Sequence, residues 1–156
     1  MKPDIGIDKE DLAKVIEILH LVLADETILY QKTKQFHWNV TGPHFISYHE
    51  LFDKHAEIIS ETIDEVAERI RALGDFVKAT LSANLKSTHL KEQENPHIPA
   101  LEMLKELLKD HEQIIRFLRE SLSKISEHED EGTVDFLTST MEEHEKITFF
   151  LRSHLE

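Results

Sequence analysis

The sequence predicts an all-α protein: a four-helix bundle with a short helix in the long crossover between its second and third long helices. Apolar residues recur at helical spacing in four long segments, which predicts four helices that each bury one face. Only four glycines and four prolines occur in 156 residues, so few breaks interrupt these segments. Residues 75–98 depart from the pattern over a stretch long enough to join two helix pairs. With 40% hydrophobic residues, we expect a single domain over residues 1–156.

The first helix is expected to follow Asp8, a residue type that caps helix N-termini, and to lead toward Phe36-His37-Trp38. Its core positions follow helical spacing and are Leu12, Val15, Ile16, Leu19 and Leu23. The segment from Asn39 to Phe45 contains Thr41-Gly42-Pro43 and predicts a turn into the second helix.

The second helix is expected to begin at about Tyr48. Ser47 and Glu50 have the spacing of a capping box, and Ile46 and Leu51 have that of a hydrophobic staple. An apolar stripe then continues to Gly74, which is favoured just past a helix end. The stripe consists of Leu51, Phe52, Ile58, Ile59, Ile63, Val66, Ile70 and Leu73.

The crossover and the last two helices complete the bundle. A short helix is expected around residues 76–81, before a polar stretch at residues 91–96. Pro99 suits the first position of the third helix, and Gly132-Thr133 starts the fourth. The expected inward positions are Leu101, Leu104, Leu107, Leu108, Ile114, Ile115, Phe117 and Leu118 in the third helix, and Phe136, Leu137, Met141, Ile147, Phe150 and Leu151 in the fourth.

One polar face of the second helix carries candidate metal ligands. His49, Asp53, Asp64 and Glu68 fall within an arc of about 100° at the helical period. The first pair is centred 15 residues before the second, which is about 22 Å of helix, so one metal ion cannot contact both pairs. A metal site on this face therefore requires a second copy of the helix, antiparallel across a two-fold axis. A solvated acidic surface is the alternative, and Glu57 and Ser60 share the arc.

The same residues lie in a longer recognisable pattern. Residues 34–45 read KQFHWNVTGPHF, residues 48–53 read YHELFD and residues 64–70 read DEVAERI. Together they resemble the Dps family of mini-ferritins, named as DNA-binding proteins from starved cells, over roughly residues 34–74. The resemblance implies a ferritin-like bundle. It also implies metal ligands at His37, His49 and Asp53 of one subunit and at Asp64 and Glu68 of its two-fold mate. Trp38, beside His37, is implied to take up a stray oxidising equivalent.

The resemblance also implies a function. The family oxidises Fe(II), preferably with hydrogen peroxide and more slowly with dioxygen, and stores Fe(III) mineral in a homo-dodecamer built from two-fold dimers. We therefore expect a ferroxidase with a di-iron site between subunits that protects against oxidative stress. Imidazole and carboxylate ligands without sulfur suit Fe(II) and Fe(III), although zinc or manganese could occupy the same ligands.

Other histidines are expected to have surface or packing roles. They are His20, His55, His111, His144 and His154. Two Glu-x-x-His matches, Glu17/His20 and Glu94/His97, are typical of the within-subunit di-iron site of larger ferritins. The second contains Pro96 and falls in the crossover, so we do not expect such a site.

Charge argues against the rival function, compaction of DNA. The formal net charge is −13, and the N-terminal segment carries Lys2 and Lys9 against four acids, so no basic arm is available to bind phosphate. Direct DNA binding is therefore not expected. An acidic run at residues 126–135 lies, by the resemblance, near a three-fold axis of the shell, where we expect it to form an entry pore for iron; a solvated surface turn is the alternative.

Composition limits the chemistry and the location. The absence of cysteine excludes disulfides, thiolate metal sites and thiol catalysis. No signal peptide and no apolar run long enough to span a membrane is evident, so we expect a cytoplasmic protein.

Overall fold

Five helices make up residues 3–156, the part of the chain that the computed structural model describes, and no strand occurs among those residues. They are α1 (Lys9–Asn39), α2 (Phe45–Ala72), α3 (Leu81–Ser87), α4 (Ala100–Ser126) and α5 (Glu131–Ser153). The predicted all-α bundle, with a short helix in its long crossover, is confirmed.

The bundle is formed by two helix pairs. α1 packs along α2, α4 packs along α5, and α1 also contacts both α3 and α4. Phe36, Phe52 and Leu118 are among the side chains that the core buries completely. Each large apolar side chain removed from water stabilises the fold by about 1.5–3 kcal/mol.

α2 begins three residues earlier than the sequence predicted, and the predicted capping box is wrong. The chain turns at Gly42, whose φ is +114°, and the amide of Phe45 donates to the carbonyl of Gly42 at 3.1 Å. Because this turn leads directly into the helix, His44 occupies the N-cap position and Ser47 lies inside the first turn. The predicted end is confirmed: Gly74 has a φ of +97°, and the amide of Asp75 bonds back to the carbonyl of Ile70 at 3.3 Å.

The short crossover helix lies later than predicted, at residues 81–87 rather than 76–81. Thr80 sets its start, because its hydroxyl accepts a hydrogen bond from the amide of Ala83 at 3.2 Å. Just after this helix, the buried carboxylate of Asp25 accepts hydrogen bonds from the hydroxyl of Thr88 and the amide of His89, both at 2.7 Å. These bonds fix the crossover against α1.

α4 and α5 also differ from the prediction at their starts. Pro99 precedes α4 as its N-cap residue, and α5 begins at Glu131 with Asp130 as its cap. Most of the predicted inward positions are at least partly buried, but Leu101 and Phe150 were wrongly placed there, since they are 51% and 43% exposed.

Asp130 is the residue on which the α4–α5 junction depends. Its buried carboxylate accepts the amide of Thr133 at 3.0 Å and Nη2 of Arg69 at 2.7 Å. Asp130→Ala removes a helix cap and leaves a partly buried guanidinium without its partner, so we expect a loss of about 2–4 kcal/mol in the free energy of unfolding. Denaturant unfolding at fixed protein concentration measures the loss. The exposed Asp135→Ala is the control, with an expected change within about 0.5 kcal/mol; equal losses would contradict this role.

Candidate metal centre

His37 and His49 meet where the last turn of α1 passes the first turns of α2. Their rings stack with centroids 3.8 Å apart. Nδ1 of His37 donates to the backbone carbonyl of His49, and Nδ1 of His49 donates to the carbonyl of His37, both at 2.8 Å. Because a carbonyl only accepts, these bonds place the proton of each neutral ring on Nδ1. Each Nε2 therefore presents a lone pair, the form that binds a metal ion.

Asp53 lies one helical turn beyond His49 and adds a carboxylate to the two rings. Its Oδ1 is 3.7 Å from Nε2 of His37 and accepts a hydrogen bond from Nζ of Lys34 at 2.7 Å. The hydrogen bond from Lys34 holds the pKa of Asp53 below its usual value. Asp53 also opens onto a groove of about 410 Å³ that extends along α1 and α2 as far as Glu61.

Asp64 and Glu68 do not join this group within one chain. Both are exposed on α2, and α2 is continuous from residue 45 to 72, so its rise separates them from His49 and Asp53 by about 22 Å. Within residues 3–156, no group of three or more His, Asp or Glu side chains is already arranged to hold a metal ion. The structure thus brings together three of the five predicted ligands, and leaves the other two facing outward on the same helix.

An exposed apolar patch borders the two histidines. Trp38 is 60% exposed, and Phe45 and Ile46 at the start of α2 are 39% and 60% exposed. Trp38 is therefore not a core aromatic of the single chain. Large exposed apolar side chains grouped on the two segments that carry these histidines are typical of a surface that another molecule covers.

Three histidines that the sequence assigned to surface or packing roles form a buried polar cluster. His55, His111 and His144 come from α2, α4 and α5, and Glu26 of α1 joins them. Nε2 of His144 is 2.8 Å from a carboxylate oxygen of Glu26, and Nδ1 of His144 is 2.7 Å from Nδ1 of His111. Single histidines produce no periodic signal, so the sequence alone did not indicate the cluster.

The two Glu-x-x-His matches do not form a site within the chain. They do not face each other across the bundle, because the first lies on α1 and His97 lies outside the helices.

In the acidic run, Asp130 is only 3% exposed and is paired with Arg69, so it is not a pore-facing acid. Glu127, Glu129 and Asp135 of that run are exposed.

Comparison with known proteins decides the family. The Ferritin-like domain family matches residues 16–156. A protein of Nostoc named "Uncharacterized low temperature-induced protein all0458" is 43% identical over 154 residues, covering 98% of this chain and 86% of its own. "DNA protection during starvation protein 2" of Bacillus anthracis is 34% identical over 142 residues, covering 91% and 97%. The chain belongs to the Dps family.

A solved structure supports the same placement of this Dps chain. The DPS protein from Vibrio cholerae O1, described as a member of a broad superfamily of ferritin-like diiron-carboxylate proteins, is 28% identical and superposes with a TM-score of 0.94. The superposition covers 99% of this chain and 97% of the other, which confirms the ferritin-like fold. Among the helices that the structure describes, none is long and apolar enough to cross a membrane.

Lys34 competes with any metal ion for Asp53. Lys34→Met keeps the aliphatic chain and removes the ammonium group, so Fe(II) should bind this Dps protein about three- to tenfold more tightly at the ligands that include Asp53. Anaerobic calorimetry measures the affinity for Fe(II). The part of the Fe(II) binding that is lost in Asp53→Asn is the part assigned to this group of residues. Lys14→Met is the matched control, because Lys14 pairs with Asp11 at an exposed position of the same helix. Weaker binding in Lys34→Met would show that Lys34 helps to hold the ion.

Proposed function

We propose that this Dps protein is a ferroxidase and iron-storage mini-ferritin whose catalytic sites are each shared by two chains. The observation that carries the proposal is the pair of reciprocal ring–carbonyl hydrogen bonds, which leave Nε2 of His37 and Nε2 of His49 free beside Asp53. Membership of a ferritin-like family supports iron binding in general, and we propose these residues as its location.

We expect a second chain to supply the two ligands that the first chain cannot bring to the site. Asp64 and Glu68 lie on the face of α2 that carries His49 and Asp53, about 22 Å along the same helix. Two copies of α2 that run antiparallel across a two-fold axis place the Asp64/Glu68 pair of each chain opposite the half-site of the other, giving two equivalent sites. The exposed Trp38, Phe45 and Ile46 beside the half-site supply apolar surface for such an interface.

The ligand set suits paired oxidation of two Fe(II) ions, which are the substrate. Two imidazoles and three carboxylates bind Fe(II) and stabilise Fe(III), whose higher charge favours anionic oxygen ligands. Two Fe(II) ions give one electron each to hydrogen peroxide, the O–O bond breaks, and two protons complete two waters. A single Fe(II) would instead release hydroxyl radical. Trp38 is near enough in sequence to His37 to take up an oxidising equivalent that escapes.

Fe(III) is then stored as mineral inside a homo-dodecamer built from these two-fold dimers. Iron enters where exposed acids of the α4–α5 junction, Glu127, Glu129 and Asp135, attract cations. We propose a cytoplasmic protein, in which removal of Fe(II) and peroxide together protects against oxidative stress.

A mixing experiment tests whether the sites are shared. His49→Ala damages the half-site of its own chain, and Glu68→Ala damages the site of its partner, so each variant alone should be inactive. In a mixed dimer, one site contains both substitutions. The other site has wild-type His49 from one chain and wild-type Glu68 from the other, so it is intact. Reassembling equal amounts of the two variants should restore about a quarter of wild-type Fe(II) oxidation, because random pairing makes half of the dimers mixed and each has one intact site.

Two controls make the result decisive. Glu65→Ala, an exposed acid between the two ligands on α2, should retain wild-type oxidation. Light scattering should show the same assembly size for every mixture. Properly assembled mixtures that stay inactive would mean that each site is built within one chain.

DNA compaction is the competing function, and the relatives named for DNA protection make it worth testing. The net charge is −13; Lys9 is followed by Glu10 and Asp11, and Lys2 lies outside the described residues. We predict no mobility shift with duplex DNA at neutral pH and moderate salt without divalent metal. Binding that weakens steeply as salt increases would show instead a basic surface assembled from separate segments.

A further inference from the structure

Four buried polar side chains meet inside the bundle, one from each long helix. Glu26 of α1 and His111 of α4 are fully buried, and His55 of α2 and His144 of α5 are each 3% exposed. Because α1, α2, α4 and α5 all contribute, the cluster lies in the middle of the helix packing and not on a surface. Burial of this many ionisable groups in one core requires an explanation, since polar groups lose their water contacts there.

The four side chains do not satisfy one another. Nε2 of His144 bonds to Oε1 of Glu26 at 2.8 Å, and the Nδ1 atoms of His144 and His111 are 2.7 Å apart. Three further atoms are buried without any hydrogen-bond partner: Oε2 of Glu26, Nε2 of His111 and Nδ1 of His55. A polar network that served packing alone should leave few such atoms. Each of the three can donate a lone pair to a metal ion.

The cluster has a partial likeness to known metal sites in helical bundles. Bundles that hold two metal ions take a glutamate from each of two helices and a Glu-x-x-His pair from each of the other two. Here α2 and α5 carry His55 and His144, with Phe52 and Met141 where that motif has glutamate. α1 carries Glu26, and α4 carries His111. Without the bridging carboxylates, the remaining donors suit one metal ion.

We propose that Glu26, His55, His111 and His144 bind one divalent transition-metal ion per chain, at a site separate from the shared ferroxidase site. One carboxylate and three imidazoles suit zinc, ferrous iron or cobalt. Burial lowers the pKa of His111 well below its usual value, so its ring is neutral and able to act as a ligand. Both ring nitrogens of His144 are hydrogen-bonded, so its Nδ1 contact with His111 must open before His144 can bind an ion. This agrees with the absence, among the described residues, of three such groups already arranged around one point.

Metal counting in a variant without the shared site tests the proposal. The starting protein is the assembled His49→Ala/Glu68→Ala variant, loaded with Co²⁺ and dialysed. We expect about one Co²⁺ per chain, with the intense visible absorption of a four- or five-coordinate ion. Adding His111→Leu and His144→Leu should remove both the ion and the absorption. The matched control adds His44→Ala and His97→Ala, two exposed histidines, and should keep both.

Crystals provide the second measurement, which does not depend on whether the leucine variant folds. The His49→Ala/Glu68→Ala crystals, soaked in Zn²⁺, should show an anomalous peak among α1, α2, α4 and α5, about 2.0–2.1 Å from ring nitrogens. The proposal is overturned if no ion is retained, if the leucine variant retains it, or if the anomalous peaks lie only on the surface. The starting variant lacks two of the five proposed ferroxidase ligands, so the outcome does not depend on that site being intact.

Discussion

The contact between His37 and His49 is the interaction on which the proposed site depends. Two hydrogen bonds from ring nitrogens to backbone carbonyls join the end of α1 to the start of α2, and in the neutral rings they place the proton on Nδ1. Phe36 and Phe52, each beside one of these turns in sequence, are fully buried with ring centroids 6.3 Å apart, so the core holds the two helix ends together. The same packing that stabilises the fold therefore positions the two rings that we propose as metal ligands.

The continuous α2 helix is the reason that the proposed site needs two chains. The rise of α2 is fixed at about 1.5 Å per residue, so ligands 15 positions apart on one face cannot reach a common ion. Exposed carboxylates at Asp64 and Glu68 repel each other on a single chain, and a cation supplied by a partner's half-site would relieve that repulsion. Assembly and metal binding would then stabilise each other, as linkage requires.

Helical spacing made most of the fold and the ligand face of α2 predictable, because both depend on local periodicity. Features that depend on long-range contacts were not predictable from one sequence. From the sequence alone, Asp130 is one more acid in an acidic turn. Its pairing with Arg69, 61 residues away in sequence, is seen only in the structure. The start of α2 was missed for a local reason instead: a turn at Gly42, and not a capping box, leads into the helix. The bundle histidines carry no periodic signal, and only packing of four helices brings them together. A single domain over residues 1–156 stays a prediction.

Anomalous scattering from crystals of the assembled wild-type protein soaked in Fe(II) tests the central claim most directly. It reports the position of the iron and the number of chains that supply its ligands in one measurement. A shared site predicts iron bound by Nε2 of His37, Nε2 of His49 and Asp53 of one chain, with Asp64 and Glu68 of a second chain completing the site. Absence of iron from these histidines, or iron held there by ligands from one chain only, would contradict it.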